Sequence, residues 1–295
     1  MHEFADPTPD MPFCLYKRLV DETEDYVRQV QPIGYGEPLL YPHIIEAVKY
    51  ARNKGKRVTI YTNGNALTPE MSEGLMKAGL TDLRFSLEAD TKEVFEFLRR
   101  PLKWEKVHSN ITEFFRIREE GGYKCKTVIA GCTTKENRGT TRRIVDYWKA
   151  LGVNKRIFRR EKIAPRPSDL MPKYTHYEAS RRVRFRQPVK CKHLYQYLSV
   201  DWDGTVLPCC RDIYGTYPLG NITGKDILEV FNNETMQDLR RRVESGVNYP
   251  TLCGAYCMRT SDRPKYGEKT YQVHEERNEK VRRLNEAYLR SLGQL

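Results

Sequence analysis

Between residues 27 and 158 the chain alternates short apolar runs with amphipathic stretches. Val27 to Ile33 reads as a strand ending in Gly34-Tyr35-Gly36. A helix follows from about Pro42, with Ile44, Ile45, Val48 and Ala51 on one face, and stops near Gly55. RVTIY, residues 57 to 61, is the next strand and runs into Thr62-Asn63-Gly64. Pro69 opens another helix, which turns Met71, Leu75 and Met76 inward and ends at Gly79. Leu83 to Leu87 gives a third strand, and Trp104, Val107, Ile111, Phe114 and Phe115 mark a long helix. Cys125 to Ala130 and Arg156 to Phe158 give two more strands, separated by a helix carrying Ile144, Val145, Trp148 and Leu151 and ended by Gly152. Strands alternating with helices of this length predict repeated βαβ units and a parallel sheet. Such a sheet places its active groups at the carboxyl ends of its strands.

Beyond residue 160 the pattern changes. Residues 161–189 are basic and contain prolines, as a linker would be. Tyr197 to Val200 and Thr205 to Leu207 then flank Asp203-Gly204, a strong hairpin signal. Ile227, Leu228, Phe231, Met236, Leu239 and Val243 suit one amphipathic helix, and Val281, Leu284, Tyr288 and Leu292 form the stripe of another. The expected organisation is a barrel-like unit over 1–160, the linker, a small α+β unit with a hairpin and helices over 190–262, and a C-terminal helix within 263–295.

Composition narrows the function classes. The 295 residues are 39% apolar and 31% charged, enough for a real core under a well-solvated surface. No run of 18 apolar residues occurs and the first residues lack a secretory signal, so no membrane partner and a cytoplasmic location are expected. The net charge of +12 concentrates in KRIFRREK (155 to 162), RRVRFR (181 to 186) and Arg240 to Arg242. Without an RNA-recognition or helix–turn–helix signature, this reads as a basic face near a polyanionic cofactor or substrate; nucleic acid is not the expected partner.

Eight cysteines are too sparse for a disulfide scaffold. Cys14, Cys125 and Cys132 lack pair spacing and read as small core residues. Cys191, Cys209, Cys253 and Cys257 gather around the hairpin and a later Cys-x3-Cys, a set of soft ligands for an iron–sulfur cluster or a zinc ion. The wide separation of Cys191 and Cys209 departs from the two short knuckles of common zinc sites. Cys210 neighbours a candidate ligand and reads as a spare thiol. Upstream, Gly34-Tyr35-Gly36-Glu37-Pro38 sits at a strand end, where glycines let a ligand approach the backbone and Glu37 can accept bonds from an ammonium group.

The stretch GYGEPLLYPHIIEAVKYARNKGKRVTIYTNGNAL, followed by the SLEA strand end at Ser86 to Ala89, closely resembles the Gly-Gly-Glu-Pro region of radical S-adenosylmethionine enzymes. From Cys191 onward, the order Cys, Asp-Gly, Pro-Cys-Cys, Leu-Gly-Asn (219 to 221), the ILEVFNNETMQDLR stretch and Cys-x3-Cys resembles their SPASM or shorter twitch extension. The resemblance implies a partial (β/α) TIM-like barrel and an oxidoreductase-type reaction on an organic substrate, such as a peptide, a sugar or a small anionic molecule. In it, Gly34, Tyr35, Gly36 and Glu37 would bind the methionine amino group of S-adenosylmethionine. Ser86 and Glu88 would lie near its ribose and methionine, and Asn137 would contribute. Cys191, Cys209, Cys253 and Cys257 would ligate an auxiliary 4Fe–4S cluster, with a low-potential donor such as flavodoxin or ferredoxin supplying electrons.

The sequence departs from the family at one place. Those enzymes carry Cys-x3-Cys-x2-Cys after their first strand, holding a second 4Fe–4S cluster whose open iron chelates the cofactor. No such triplet exists here, and Cys14 is the only cysteine before Cys125. Residues 11 to 24 resemble the family's first helix, so the first strand and cluster loop are expected just before Met1 in a longer protein. The alternative is a catalytically silent iron–sulfur or zinc-binding protein derived from such an enzyme.

Overall fold

The computed structural model describes residues 9–33, 36–133, 137, 139–160, 191–210, 212, 215 and 217–245, with the backbone alone for Thr133 and 155–160. The chain divides into two units, Met1–Glu161 and Lys162–Leu295. The expected linker and the C-terminal helix lie outside the described residues.

In the first unit five strands form a parallel sheet in the order β1-β2-β3-β4-β5: β1 Gln29–Val30, β2 Arg57–Thr62, β3 Asp82–Ser86, β4 Lys126–Thr133 and β5 Lys155–Arg160. Strand order follows chain order without reversal. A doubly wound sheet reverses direction at a switch point; a barrel-type sheet does not. The helices are α1 Phe13–Glu22, α2 Ile44–Asn53, α3 Pro69–Lys77, α4 Lys92–Leu98, α5 Trp104–Glu120 and α6 Thr141–Ala150.

The period-2 pattern explains why one face is covered. Val58, Ile60, Leu83, Phe85 and Ile129 share a buried core with Ile44, Val48, Leu75, Ile111, Phe114 and Trp148 of the helices. Phe85 meets Phe114 and Phe115 edge-on, at centroid distances of 5.7 and 5.9 Å. The alternate residues Tyr61, Arg84 and Ser86 turn to the other, half-buried face. At α3, Thr68 accepts a bond from Met71 N at 3.2 Å and Pro69 supplies the pre-set first turn. Gly74 faces α2: a Cβ there would sit 2.6 Å from Ile45 Cδ1 and push the tip of that side chain aside.

Three expectations need correction. The first strand is two residues long, because Pro32 has no N–H to give a ladder and Ile33 is 49% exposed. α4 was not expected; it is short and buries only Phe95. Cys125 is buried, but Cys14 and Cys132 are exposed. Cys14 lies off the Tyr16–Val20 stripe of α1, and Cys132 stands beside the last residue of β4, past the buried Thr127, Val128 and Ile129.

α5 and α6 meet through an aromatic cluster in which His108 Nε2 and Tyr147 Oη are 2.7 Å apart beside Trp104 and Trp148. Burial holds the His108 imidazole below its ordinary pKa. The unfolded chain therefore takes up this proton first as pH falls below about 6.5, so this site's stabilisation is complete above that pH and declines below it. The expected result is that the melting-temperature difference between wild type and His108→Gln shrinks from pH 7.5 to pH 5.5. A difference that stays constant in calorimetry would remove His108 from this role.

The second unit holds α7 Lys192–Gln196, a three-stranded antiparallel sheet of β6 Ser199–Val200, β7 Thr205–Leu207 and β8 Gly220–Asn221, then α8 Ile227–Phe231 and α9 Glu234–Ser245. The Asp-Gly hairpin forms: Gly204 N donates to Asp201 O at 3.0 Å with Gly204 at φ 88°, a conformation that favours glycine. The single helix expected over 227–243 is two helices. Asn232 ends α8, and the Asn233 side chain caps Met236 N at 2.9 Å and donates to Leu219 O at 2.6 Å. Side-chain bonds to the backbone thus outcompete helix continuation while the apolar stripe stays in phase.

Candidate functional site

The carboxyl ends of β1 to β4 gather the residues that the sequence singled out in the first unit. Gly34 and Tyr35 lie outside the described residues. Gly36 is exposed, with no atom within 4 Å of where a Cβ would stand. Glu37 is half-buried and spans two loops: Oε2 accepts from Asn63 N at 2.8 Å and Oε1 from Leu39 N at 3.3 Å. The Thr62-Asn63-Gly64 turn is itself fixed, since Thr62 Oγ1 accepts from Gly64 N at 2.9 Å and Asn110 Nδ2 donates to Gly64 O at 2.9 Å. A carboxylate offers about four acceptor sites, so each Glu37 oxygen keeps capacity for a further donor. An ammonium group fits this arrangement, beside an open glycine.

Ser86 ends β3 opposite Ala130, half-buried on the same face as Tyr61 and Arg84. Glu88 follows and is buried in a two-pronged ion pair, with Arg99 Nε at 2.6 Å and Nη2 at 2.5 Å; the side chains are only 9% and 14% exposed. Cys132 N also donates to Glu88 Oε1, at 3.4 Å. Asn137 is fully buried and ties the ends of β3 and β4 together, donating to Glu88 O at 3.1 Å and Cys132 O at 2.8 Å. Glu88 and Asn137 therefore meet at the ends of β3 and β4. Their recorded bonds are to the protein, and Glu88 acts as one charged unit with Arg99. Sequence reasoning did not name Arg99; the available signal was that a buried carboxylate requires a cation.

The other end of the sheet is cationic. A cavity of about 580 Å³ lies where β2, β3 and β4 begin, lined by Arg57, Asp82, Arg84, Arg118, Lys124 and Lys126 among others. Its carboxylate, Asp82, is engaged by Arg57 at 2.6 Å. Arg84 stacks on Tyr61 at 5.0 Å, and its buried Nε has no hydrogen-bond partner among the described residues.

In the second unit Cys191 is the N-cap residue of α7, and Cys209 follows β7 by two residues; both are half-buried and neither is in a disulfide. Ser199 pairs with Leu207 at the open end of the hairpin, so Cys209 and the α7 connection lie at the end opposite the Asp203-Gly204 turn. Cys253 and Cys257 lie outside the described residues. Half-buried thiols such as these suit a thiolate-bound metal group by residue type. Cys210 is exposed. Burial pushes the Cys125 thiol up to about 12, which keeps it protonated and a poor ligand.

Comparison with known proteins adds the following. Residues 14–147 match the model of the Radical SAM superfamily, and residues 191–258 match SPASM, an iron–sulfur cluster-binding domain. The chain is 22% identical over 277 residues to the tungsten-containing aldehyde ferredoxin oxidoreductase cofactor-modifying protein of Pyrococcus furiosus, covering 78% of this chain and 75% of that protein. Over 83 residues it is 34% identical to the AdoMet-dependent heme synthase of Methanosarcina barkeri, covering 28% of this chain and 24% of that protein. The structure of Streptococcus suis SuiB bound to S-adenosylmethionine is similar with a TM-score of 0.62 at 17% identity, over 80% of this chain and 62% of that one.

Proposed function

This chain belongs to the radical SAM superfamily and carries a SPASM iron–sulfur domain, and from that premise we propose the roles of its residues. The backbone of Gly34 to Gly36 and the Glu37 carboxylate hold the methionine ammonium of S-adenosylmethionine. Ser86 and the Glu88–Arg99 pair line the ribose and methionine side of the same strand-end face, with Asn137 fixing the ends of β3 and β4. Cys191, Cys209, Cys253 and Cys257 hold the auxiliary 4Fe–4S cluster. S-adenosylmethionine, when bound and reduced, supplies the radical chemistry of hydrogen abstraction; this chain's residues bind, orient and shield. The observation that carries the reading is the Glu37 carboxylate, anchored on two strand-end loops with acceptor capacity left beside Gly36.

The proposed reaction is oxidation or modification of an organic substrate, with the auxiliary cluster accepting the electron left on it and flavodoxin or ferredoxin as the electron donor. A second SuiB structure holds that enzyme's precursor peptide SuiA. For this chain the net charge of +12 supports a substrate with an anionic group. Among the described residues no helix is long and apolar enough to cross a membrane, and we propose a cytoplasmic location. The 295 residues contain no Cys-x3-Cys-x2-Cys, so this stretch of chain alone is proposed not to cleave the cofactor.

Glu37→Gln tests the cofactor site. Losing a hydrogen bond to a charged group costs roughly 1.5–3 kcal/mol. S-adenosylmethionine affinity is therefore expected to fall at least about tenfold, measured by calorimetry in a version of the protein that carries a Cys-x3-Cys-x2-Cys segment. Equal affinity in two equally folded proteins would remove Glu37 from the site.

A further inference from the structure

The cavity of about 580 Å³ in the first unit lies at the amino ends of β2, β3 and β4, away from the proposed cofactor face. Asp82 opens β3 at the cavity and Ser86 ends it at that face. Four strand steps of about 3.3 Å set the two roughly 13 Å apart. The volume suits a small organic ligand, for which sites run from about 300 to 1,000 Å³. Arg57, Arg84, Arg118, Lys124 and Lys126 line it with a single carboxylate, Asp82. Arg57 bonds Asp82 at 2.6 Å, and Arg118 meets the exposed Glu119 at 3.9 Å. Arg84, Lys124 and Lys126 are left over: among the described residues no carboxylate forms an ion pair with any of them. Like charges gathered in one concavity repel one another and focus a field that draws anions.

Arg84 is the anchor of this group. The register sets it between Tyr61 of β2 and Val128 of β4. Its Nη1 donates to Tyr61 Oη and its guanidinium lies over the Tyr61 ring, while its Nε has no hydrogen-bond partner among the described residues. Nε and Nη2 form the edge with which an arginine grips an oxyanion through two parallel bonds. Arg99 uses that same edge on the Glu88 carboxylate. On Arg84 the described residues supply no such oxyanion, and rotation about the last torsions of the side chain turns the edge toward one seated in the cavity.

We propose that this cavity is a second ligand site of the first unit, separate from the cofactor face, for a small molecule bearing one or more phosphate groups. Arg84 grips the phosphate oxygens, and Lys124 and Lys126 balance the rest of its charge. A phosphate carries roughly 1.5 to 2 negative charges near neutral pH and three acceptor oxygens, whereas a single carboxylate carries one charge and two. Three cations without a carboxylate therefore match the phosphate better. The site does not depend on the roles proposed for Glu37 or for the cysteines.

The test is titration calorimetry of the full 295-residue chain with pyrophosphate as the probe, with citrate as a polyanion that lacks phosphate. Wild type is expected to bind pyrophosphate, and to bind it more tightly than citrate. Arg84→Gln is expected to weaken pyrophosphate binding at least about tenfold, the loss that follows from removing hydrogen bonds to a charged group. Arg142→Gln removes an equal charge from α6 at a side chain 94% exposed, and is expected to leave the affinity unchanged. No heat of binding at millimolar pyrophosphate overturns the proposal, as does wild-type affinity in a folded Arg84→Gln. An equal loss in Arg142→Gln also overturns it, since the net charge would then be the whole attraction. Citrate bound as tightly as pyrophosphate overturns the phosphate class. If Arg84→Gln fails to fold by circular dichroism, the exposed pair decides: Lys124→Gln with Lys126→Gln should lose at least about tenfold by the same reckoning, and unchanged affinity there overturns the site.

Discussion

Cys209→Ala is expected to abolish the auxiliary cluster. Wild-type chain, purified anaerobically, should be brown and carry roughly four irons, as one 4Fe–4S cluster on thiolates requires. Removing one thiolate leaves an iron without its protein ligand, and the expected product is colourless protein with iron near background. The neighbouring Cys210 gives the sharpest control. It is exposed, whereas Cys209 is half-buried at the open end of the hairpin beside the α7 connection. Cys210→Ala should therefore keep its iron, as should Cys14→Ala and Cys132→Ala, whose thiols are exposed elsewhere in the chain. The loss should also appear as a lower melting temperature, because binding energy at a site formed only in the folded state is folding energy. Stoichiometric zinc without iron after anaerobic reconstitution would sink the cluster assignment, and retained iron in Cys209→Ala would sink the ligand.

What the sequence revealed depended on how local the signal was. The strands β2 to β5 and the helices α2, α3, α5 and α6 were legible because a period of two gives way to a period of 3.6 at each boundary, with Pro69, Gly79 and Gly152 as punctuation. α4 escaped because seven residues that bury only Phe95 leave no stripe to read. The stripe over 227–243 was read correctly as apolar, but the break at Asn232-Asn233 depends on bonds to Leu228 O and Leu219 O that a hydropathy pattern does not contain. The site shows the same division. Glu37, Ser86, Glu88 and the cysteines stood out through motif order. Arg99 did not, because its partner Glu88 lies 11 residues away across a loop and packing brings the two together. The exposure of Cys132 was missed by assigning burial from residue type to a position near a strand end.

The other large effect concerns the cofactor. Incubated anaerobically with S-adenosylmethionine and dithionite, the 295-residue chain is expected to form no 5′-deoxyadenosine above a protein-free control. Reductive cleavage needs an iron that is free to take the cofactor's amino and carboxylate groups while passing an electron to its sulfonium. A cluster saturated by the four proposed ligands, Cys191, Cys209, Cys253 and Cys257, would offer none. The remaining thiols cannot replace the missing set: Cys125 is buried and held protonated, and Cys14 and Cys132 lie at the start of the chain and at the end of β4 without pair spacing. Glu37, Ser86 and the Glu88–Arg99 pair, in their proposed role, would orient the cofactor but move no electron. A longer version of the protein bearing Cys-x3-Cys-x2-Cys ahead of α1 should produce deoxyadenosine, and Glu37→Gln in that version should produce it more slowly at low cofactor concentration. Many turnovers by the 295-residue chain alone would overturn this account and require a ligand set built from Cys14, Cys125 or Cys132, which triple replacement of those three by alanine would then reveal.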